Sequence, residues 1–276
     1  MINKVIKNAS WIIGCKIGQS VINLIIGMIS ARYLGPSKYG LITYAASVVA
    51  FALPIVQLGL SKTLVQEFIE RPDEEGAVLG TALVMNVISS LFCIVGVFGL
   101  ISLVNTGETE TIIVIVLYSL SLVFQSVEII SLWFQSKLLS KYPSIASLVA
   151  YAVVALYKVI LLIIGKSVMW FAVSNTIDYF LISIILFAAY RKMGTQKLSF
   201  SLRLGKKMLG RSKHYIVSAM MVTVFQQTDR IMLKLMCGDV ETGYYSAAVA
   251  CAGVTGFVYV AIIDSMRPTI LEKKNN

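Results

Sequence analysis

AVLGTALVMNVISSLFCIVGVFGLISLV, residues Ala77–Val104, runs from end to end without a charged side chain. Wound as an α-helix at about 1.5 Å per residue, it is longer than the ~30 Å hydrocarbon core of a bilayer is thick. Its Leu, Ile, Val and Phe residues do not alternate with polar ones, so it is no strand with one wet face. Similar runs recur at Trp11–Leu34, Gly40–Lys62, Thr111–Ser136, Ser144–Gly165, Ser167–Tyr190, His214–Met236 and Thr242–Met266, which predicts about eight membrane-crossing helices. Hydrophobic residues make up 57% of the 276 and charged residues 14%, with a mean hydropathy of +0.81. A chain with so much apolar surface takes lipid as its solvent. Lipid offers a backbone amide no partner, which leaves helix bundles or closed barrels, and continuous apolar runs exclude the barrel. The expected fold is therefore all-α, a polytopic transmembrane helix bundle.

The formal net charge is +10, but the cations gather in alternate short loops, the pattern that orients a membrane protein rather than one that binds nucleic acid. With a cytoplasmic N-terminus, the inner side holds Lys4, Lys7, Lys62, Arg71, Lys137, Lys141, the cluster between Arg191 and Lys213, and Arg267, Lys273 and Lys274. The outer side holds only Arg32, Lys38, Lys166 and Lys234. Both termini are thus expected in the cytoplasm. Lys4 and Lys7 precede an apolar stretch as in a signal peptide, yet Lys16, Gln19 and Asn23 interrupt it, and the segment reads as a retained first helix. Cys15, Cys93, Cys237 and Cys251 form no ligand spacing and read as small apolar packers. His214 is the single histidine, so neither a histidine metal site nor a Ser-His-Asp triad can be assembled. No cofactor is expected, and no outer loop is long enough to carry bond-making chemistry.

Three segments follow from this reading: a six-helix lobe over 1–190, a basic linker over 191–213, and two further helices over 214–276. The linker has no acid and intersperses Leu198, Phe200, Leu202, Leu204, Met208 and Leu209 among its cations, as a segment lying on anionic headgroups would. Inside the membrane the polar residues fall in stripes. Lys16, Gln19, Ser20, Asn23, Gly27 and Ser30 share one face of the first helix, and Thr43, Ser47, Ala50, Pro54, Gln57 and Ser61, with Lys62 beside them, one face of the second. Small and hydroxylated residues can mediate close packing, but a lysine or an asparagine at depth is expensive, so Lys16 and Asn23 are expected to face water or ligand. The seventh helix carries Thr223, Gln227, Arg230 and Lys234 on one stripe and Gln226 with Asp229 on the next. Asp229 and Arg230 diverge by about 100°, so at least one of them takes a partner elsewhere. Arg32 and Lys234, near helix ends, can snorkel to the interface. Glu128, Lys158 and Asp178 form an ionisable set in the first lobe: a buried Lys158 to Asp178 pair, or an ion-coupling site built on Asp178 or Glu128. Asp264 and Arg267 read as a local pair.

An internal repeat is visible. Arg32-Tyr-Leu-Gly35-Pro-Ser-Lys-Tyr-Gly40-Leu-Ile-Thr43 and Lys234-Leu-Met-Cys-Gly238-Asp-Val-Glu-Thr-Gly243-Tyr-Tyr-Ser246 each place a cation before a glycine, a second glycine five residues on, and a hydroxyl three residues further. Both fall at outer turns, so the first two helices correspond to the last two, as in transporters built from two related lobes.

ARYLGPSKYG (Ala31–Gly40) and QQTDRIMLKLMCGDVETGYYSAA (Gln226–Ala248) resemble the first outer turn and the seventh-to-eighth helix segment of the bacterial polysaccharide flippases of the Wzx type. Those belong to the multidrug, oligosaccharidyl-lipid and polysaccharide exporter superfamily. The resemblance implies a cavity between two helical lobes, lined by helices one, two, seven and eight, in which the head of an undecaprenyl-diphosphate-linked oligosaccharide changes leaflet in a bacterial cytoplasmic membrane. It also implies membrane lipids, a glycan polymerase and glycosyltransferases as partners. Such proteins have roughly twelve to fourteen helices in two lobes of about six, so this chain is expected to hold the first lobe and only the start of the second, and not to transport by itself. Candidate substrate-binding residues are Lys16, Asn23, Arg32, Lys62, Gln227, Asp229 and Arg230, with Lys16 and Lys62 as an inner station for the diphosphate and Arg32 and Arg230 as an outer one. Two rival readings are a MATE-type exporter of small organic cations, which would want an acidic cavity, and a truncated, non-transporting membrane partner.

Overall fold

The computed structural model describes residues 2–194 and 196–253, with side chains from residue 11 onward. Among these residues there are helices and no strand. Helix α1 (Ile2–Val56) is two helices joined at Gly35, whose φ of 72° and ψ of 169° no other residue adopts easily. Pro36 follows, with no N–H to give to the turn before it, and opens the second half. A bend through Leu58 and Gly59, both at positive φ, leads to the short α2 (Leu64–Glu70) on the inner side. There follow α3 (Glu75–Val104), α4 (Thr109–Ser119), α5 (Ser121–Val127), α6 (Ile130–Ser136), α7 (Lys141–Ile164), α8 (Val168–Met193) and α9 (Leu202–Cys237), then a helical stretch over 239–253, here α10. Inner and outer denote the sides given by the charge asymmetry of the loops.

Among the described residues five helical stretches are long and apolar enough to cross a membrane: Trp11–Val56, Pro72–Val104, Thr109–Ser136, Lys141–Ile164 and Val168–Met193. The first, bent at Gly35, contains the first of the expected eight runs and most of the second. The seventh, in α9, does not qualify on composition, because Gln226, Gln227, Asp229, Arg230 and Lys234 dilute it. Part of the eighth run lies outside the described residues, as do Asp264 and Arg267. The run at Thr111–Ser136 is not one straight helix but three consecutive pieces. Ser119, Ser121 and Ser126 turn their hydroxyls back onto the carbonyls of Val116, Tyr118 and Val123, which loosens the backbone ladder at both joints. Glu128 sits at the second joint.

The core has two parts. Near the inner side Phe68, Leu79, Phe134, Leu186 and Met208 are buried together with Trp133, whose ring lies 5.0 Å from that of Tyr190, edge on. Trp133 donates its indole N–H to Glu75 at 2.9 Å, and Lys137 pairs with the same carboxylate. Near the outer side Leu41, Tyr44, Ile101, Ile115 and Ala172 pack together. Apolar residues also cover the outside: Phe225 is 90% exposed, Ile163 79% and Leu103 78%. Such a surface is stable only against lipid.

The basic linker is shorter than its sequence suggests. Residues 196–201 run extended across the start of α3, where Gly76 donates to the Gln196 side chain at 2.9 Å and Ser201 donates its backbone N–H to Thr81 at 3.0 Å. A methyl group on Gly76 or Gly80 would fall 2.3 Å from the Lys197 carbonyl oxygen or 2.4 Å from that of Ser199, so these glycines make the groove that holds the extended segment. From Leu202 the chain is already α9, which continues through His214 without a break. Its first turns are fixed to the first lobe: Arg211 pairs with Glu67 at 2.6 Å and Glu70 at 3.0 Å, and Ser212 donates to the Leu58 carbonyl at 2.8 Å.

The two repeat copies meet. Gly35 (φ 72°, ψ 169°) and Gly238 (φ 89°, ψ −174°) have nearly the same backbone, and each starts a helix. A methyl on Gly40 would lie 1.9 Å from the carbonyl oxygen of Asp239, and one on Gly243 would lie 2.0 Å from that of Pro36. Pro36 and Asp239 are themselves equivalent in the repeat, so the contact is reciprocal, as across a two-fold axis. Gly40→Ala must push the two outer turns apart, at a cost of roughly 1–3 kcal/mol by analogy with overpacked cores. Thr242, 0% exposed beside this contact, reports it. With the native cysteines replaced by serine, Thr242→Cys should react with an impermeant thiol reagent in the Gly40→Ala background and be protected in the parent. Equal protection in both would show that the glycines do not seal the turns.

Candidate functional site

On the outer side, below the glycine contact, Lys234 of α9 is 6% exposed. Its ammonium donates to Glu108, in the loop between α3 and α4, at 2.9 Å, and ion-pairs with Asp239 at 2.9 Å. Glu108 also accepts from Thr111 at 2.7 Å and from the Asn105 amide at 3.3 Å, and the Asn105 carbonyl accepts from the Tyr44 hydroxyl at 3.1 Å. Lys38 pairs with Glu110 nearby. The Lys234 contact, first, and then the Thr111 hydroxyl hold the Glu108 carboxyl below the usual glutamate range. This cluster ties α9 and α10 to the first lobe at their outer ends.

Deeper, α9 lies along the second half of α1. Ser47 donates to Gln227 Oε1 at 2.9 Å, and Arg230 Nη1 donates to the same oxygen at 2.8 Å. Asp229 turns to the other side and accepts from the Tyr245 hydroxyl of α10. Beyond this seam, α1, α9 and α10 enclose a cavity of about 560 Å³ lined by Ser20, Asn23, Tyr39 and Arg230 among mostly small apolar residues. Among the described residues its lining has one charged side chain, Arg230, and no carboxylate. The Arg230 Nε–H is buried there without a hydrogen-bond acceptor.

Two smaller polar cavities lie within the first lobe. One, of about 280 Å³, is lined by Asn23, Tyr118, Tyr151, Lys158, Asn175 and Asp178, so Asn23 walls both this cavity and the larger one. Asp178 Oδ1 and Asn175 Nδ2 are buried without hydrogen-bond partners, and Lys158 and Asp178 are not within ion-pair distance. The other, of about 210 Å³, is lined by Gln57, Ser61, Asn86 and Glu128, with the Asn86 carbonyl oxygen unpartnered.

The family model of the polysaccharide biosynthesis proteins matches residues 5–273. The chain belongs to the polysaccharide biosynthesis protein family. No curated protein and no solved structure matches it. In this family member, a multi-pass membrane protein by its helices, the candidate residues fall into separate places. Asn23 and Arg230 share the large cavity, with Gln227 braced behind Arg230 and Asp229 bound to α10. Lys16, Arg32 and Lys62 are exposed and line none of the three cavities. Gln57 and Ser61, from the second-helix stripe, face Glu128 within the first lobe. Sequence reading missed Glu108, Asn105 and Tyr44, which lie far apart in the chain, and treated Lys234 as a residue that could snorkel. The repeat offered one signal, since it placed Lys234 beside a turn that had to meet its counterpart.

The outer cluster has a pH signature. Because the Glu108 carboxyl is lowered in the folded protein, its contribution is complete above the ordinary glutamate value of 4.5 and is lost as pH falls through the lowered value. Glu108 is 46% exposed and Asp239 remains as a second partner for Lys234, so Glu108→Gln should cost only about 1 kcal/mol. The melting temperature of Glu108→Gln should lie below that of the parent at pH 7, and the gap should close in acid. A gap independent of pH would remove the ion pair as its cause.

Proposed function

We propose that the protein moves a lipid-linked oligosaccharide diphosphate from the inner to the outer leaflet of a bacterial cytoplasmic membrane for surface polysaccharide assembly. One observation carries this reading beyond family membership: the large cavity between α1, α9 and α10 has Arg230 as its single described charge and an Nε–H without an acceptor. A diphosphate sugar head cannot cross hydrocarbon bare, and an arginine fork supplies paired donors for its oxygens. Asn23, Ser20 and Tyr39 offer amide and hydroxyl groups of the kind that hold sugars. An exporter of organic cations would want carboxylates in this position, which disfavours that reading. Translocation needs no bond chemistry: the outer turns, closed by Gly40, Gly243 and the Lys234 cluster, would open as the cavity changes the side it faces. Asp178 and Glu128 are the proposed coupling groups, with Asn23 as the wall between the Asp178 cavity and the substrate.

The test is translocation of a lipid-linked oligosaccharide in vesicles containing the native protein. Arg230→Gln should lower the rate about a hundredfold, the loss of a charge-assisted contact to a buried anion, and Arg230→Lys should recover part of it. Asp178→Asn should abolish any dependence on an imposed ion gradient. Wild-type rates in Arg230→Gln, or export of organic cations in place of lipid, would overturn the proposal.

A further inference from the structure

An apolar hollow larger than the polar cavity lies on the opposite side of the α1–α9 seam from it. It is a groove of about 950 Å³ walled by the second half of α1, by α3, by α9, and at its inner end by Phe200 and Leu202. Among the described residues its lining contains no charged side chain. Along α3 it runs from Met85 to Val104, roughly 29 Å at the helical rise, which is the thickness of the whole hydrocarbon core. The groove face of α9 carries Leu202, Met220, Ile231 and Leu235, which fall within about 60° of one direction at 100° per residue. Lys206 and Lys213 fall on the same stripe, towards the inner side, and both are exposed. Arg211 does not join them, because it points back to Glu67 and Glu70. The acids that α2 presents here, Glu67 and Glu70, are taken by Arg211, and neither Lys206 nor Lys213 forms an ion pair among the described residues.

We propose that this groove is a loading seat for a polyisoprenoid phosphate, with the chain lying along α3 and the phosphate held at Lys206 and Lys213. The proposal rests on the reading of the substrate as lipid-linked, and adds where that lipid waits before its head enters the cavity. Length selects the occupant. An ordinary acyl chain covers one leaflet, about 15 Å, and would leave the outer half of the groove, from Gly96 to Val104, unfilled. Charge selects the head, because the α2 acids Glu67 and Glu70 are engaged by Arg211 while, among the described residues, Lys206 and Lys213 form no ion pair, and two such cations attract a phosphate. Position defines the stage. The groove and the polar cavity are divided by the Ser47 to Gln227 contact, while consecutive residues of α9 serve both: Ile231 lines the groove and Arg230 the cavity. A lipid seated here reaches Arg230 only when α9 parts from α1.

The experiment measures retention of undecaprenyl phosphate, undecaprenol and phosphatidylglycerol by the native protein in neutral phosphatidylcholine nanodiscs. Undecaprenyl phosphate should be held about tenfold more tightly than either comparator, since each lacks one of the two features selected. Lys206→Glu together with Lys213→Glu should remove the preference over undecaprenol. A methyl on Gly96 would meet nothing within 4 Å, so Gly96→Phe enters the groove without displacing protein atoms close to the backbone, and it should remove the preference over phosphatidylglycerol. Equal retention of phosphatidylglycerol, retention unchanged in both variants, or a second copy of the chain cross-linked through Phe92→Cys in place of lipid would each overturn the seat. Retention without translocation would instead count against the transport reading and leave the seat standing.

Discussion

The close approach of two backbones at Gly40 and Gly243 sets the rest of the arrangement. Helices in lipid gain little from burying apolar side chains against each other, because the tails outside are equally apolar, so association relies on close packing and polar contacts. A missing side chain on each turn lets a carbonyl oxygen occupy the space a methyl would take. With the outer turns locked in that way, α9 lies beside the second half of α1, Lys234 is carried to Glu108, and Gln227 to Ser47. The cavity that holds Arg230 lies below this contact.

Helix α9 links the two hollows and the two anchored ends. It begins on the inner side among the acids of α2, passes between an apolar groove and a polar cavity, and ends under the glycine contact. Its low hydropathy is a consequence of that route: a helix with protein or a cavity on several sides can carry Gln226, Gln227, Asp229, Arg230 and Lys234, which a lipid-facing helix could not. Both of its ends are anchored to the first lobe by ion pairs, so moving it requires breaking the Arg211 and Lys234 contacts. Exposed pairs such as Arg211 with Glu70 cost little to part.

The first lobe is held by a different device. Its fourth membrane run is broken at two serine-rich joints, and polar cavities have formed around the joints' neighbours Glu128, Asp178 and Asn86. Backbone irregularity at this depth is tolerated only where protein or water satisfies it. Asp178 Oδ1 and Asn175 Nδ2 lie buried there without a hydrogen-bond partner from the protein.

Hydropathy alone determined the all-α membrane bundle, since lipid permits few alternatives to a twenty-residue apolar helix. The glycine spacing shared by residues 35–40 and 238–243 showed that the two turns are equivalent, because only glycine meets such backbone demands. Tertiary structure alone decided which polar residues share a space. Periodicity puts Lys16 and Asn23 on one face, yet Asn23 reaches the cavity and Lys16 stays exposed, because a stripe gives direction around a helix and not what stands opposite it. Lys62 is displaced by the bend at Leu58 and Gly59, and Arg32 by its place just before Gly35. Glu108 and Lys234 are 126 residues apart, and no local pattern connects them. Their pairing exists because the two glycine turns bring distant chain segments within a hydrogen bond of each other.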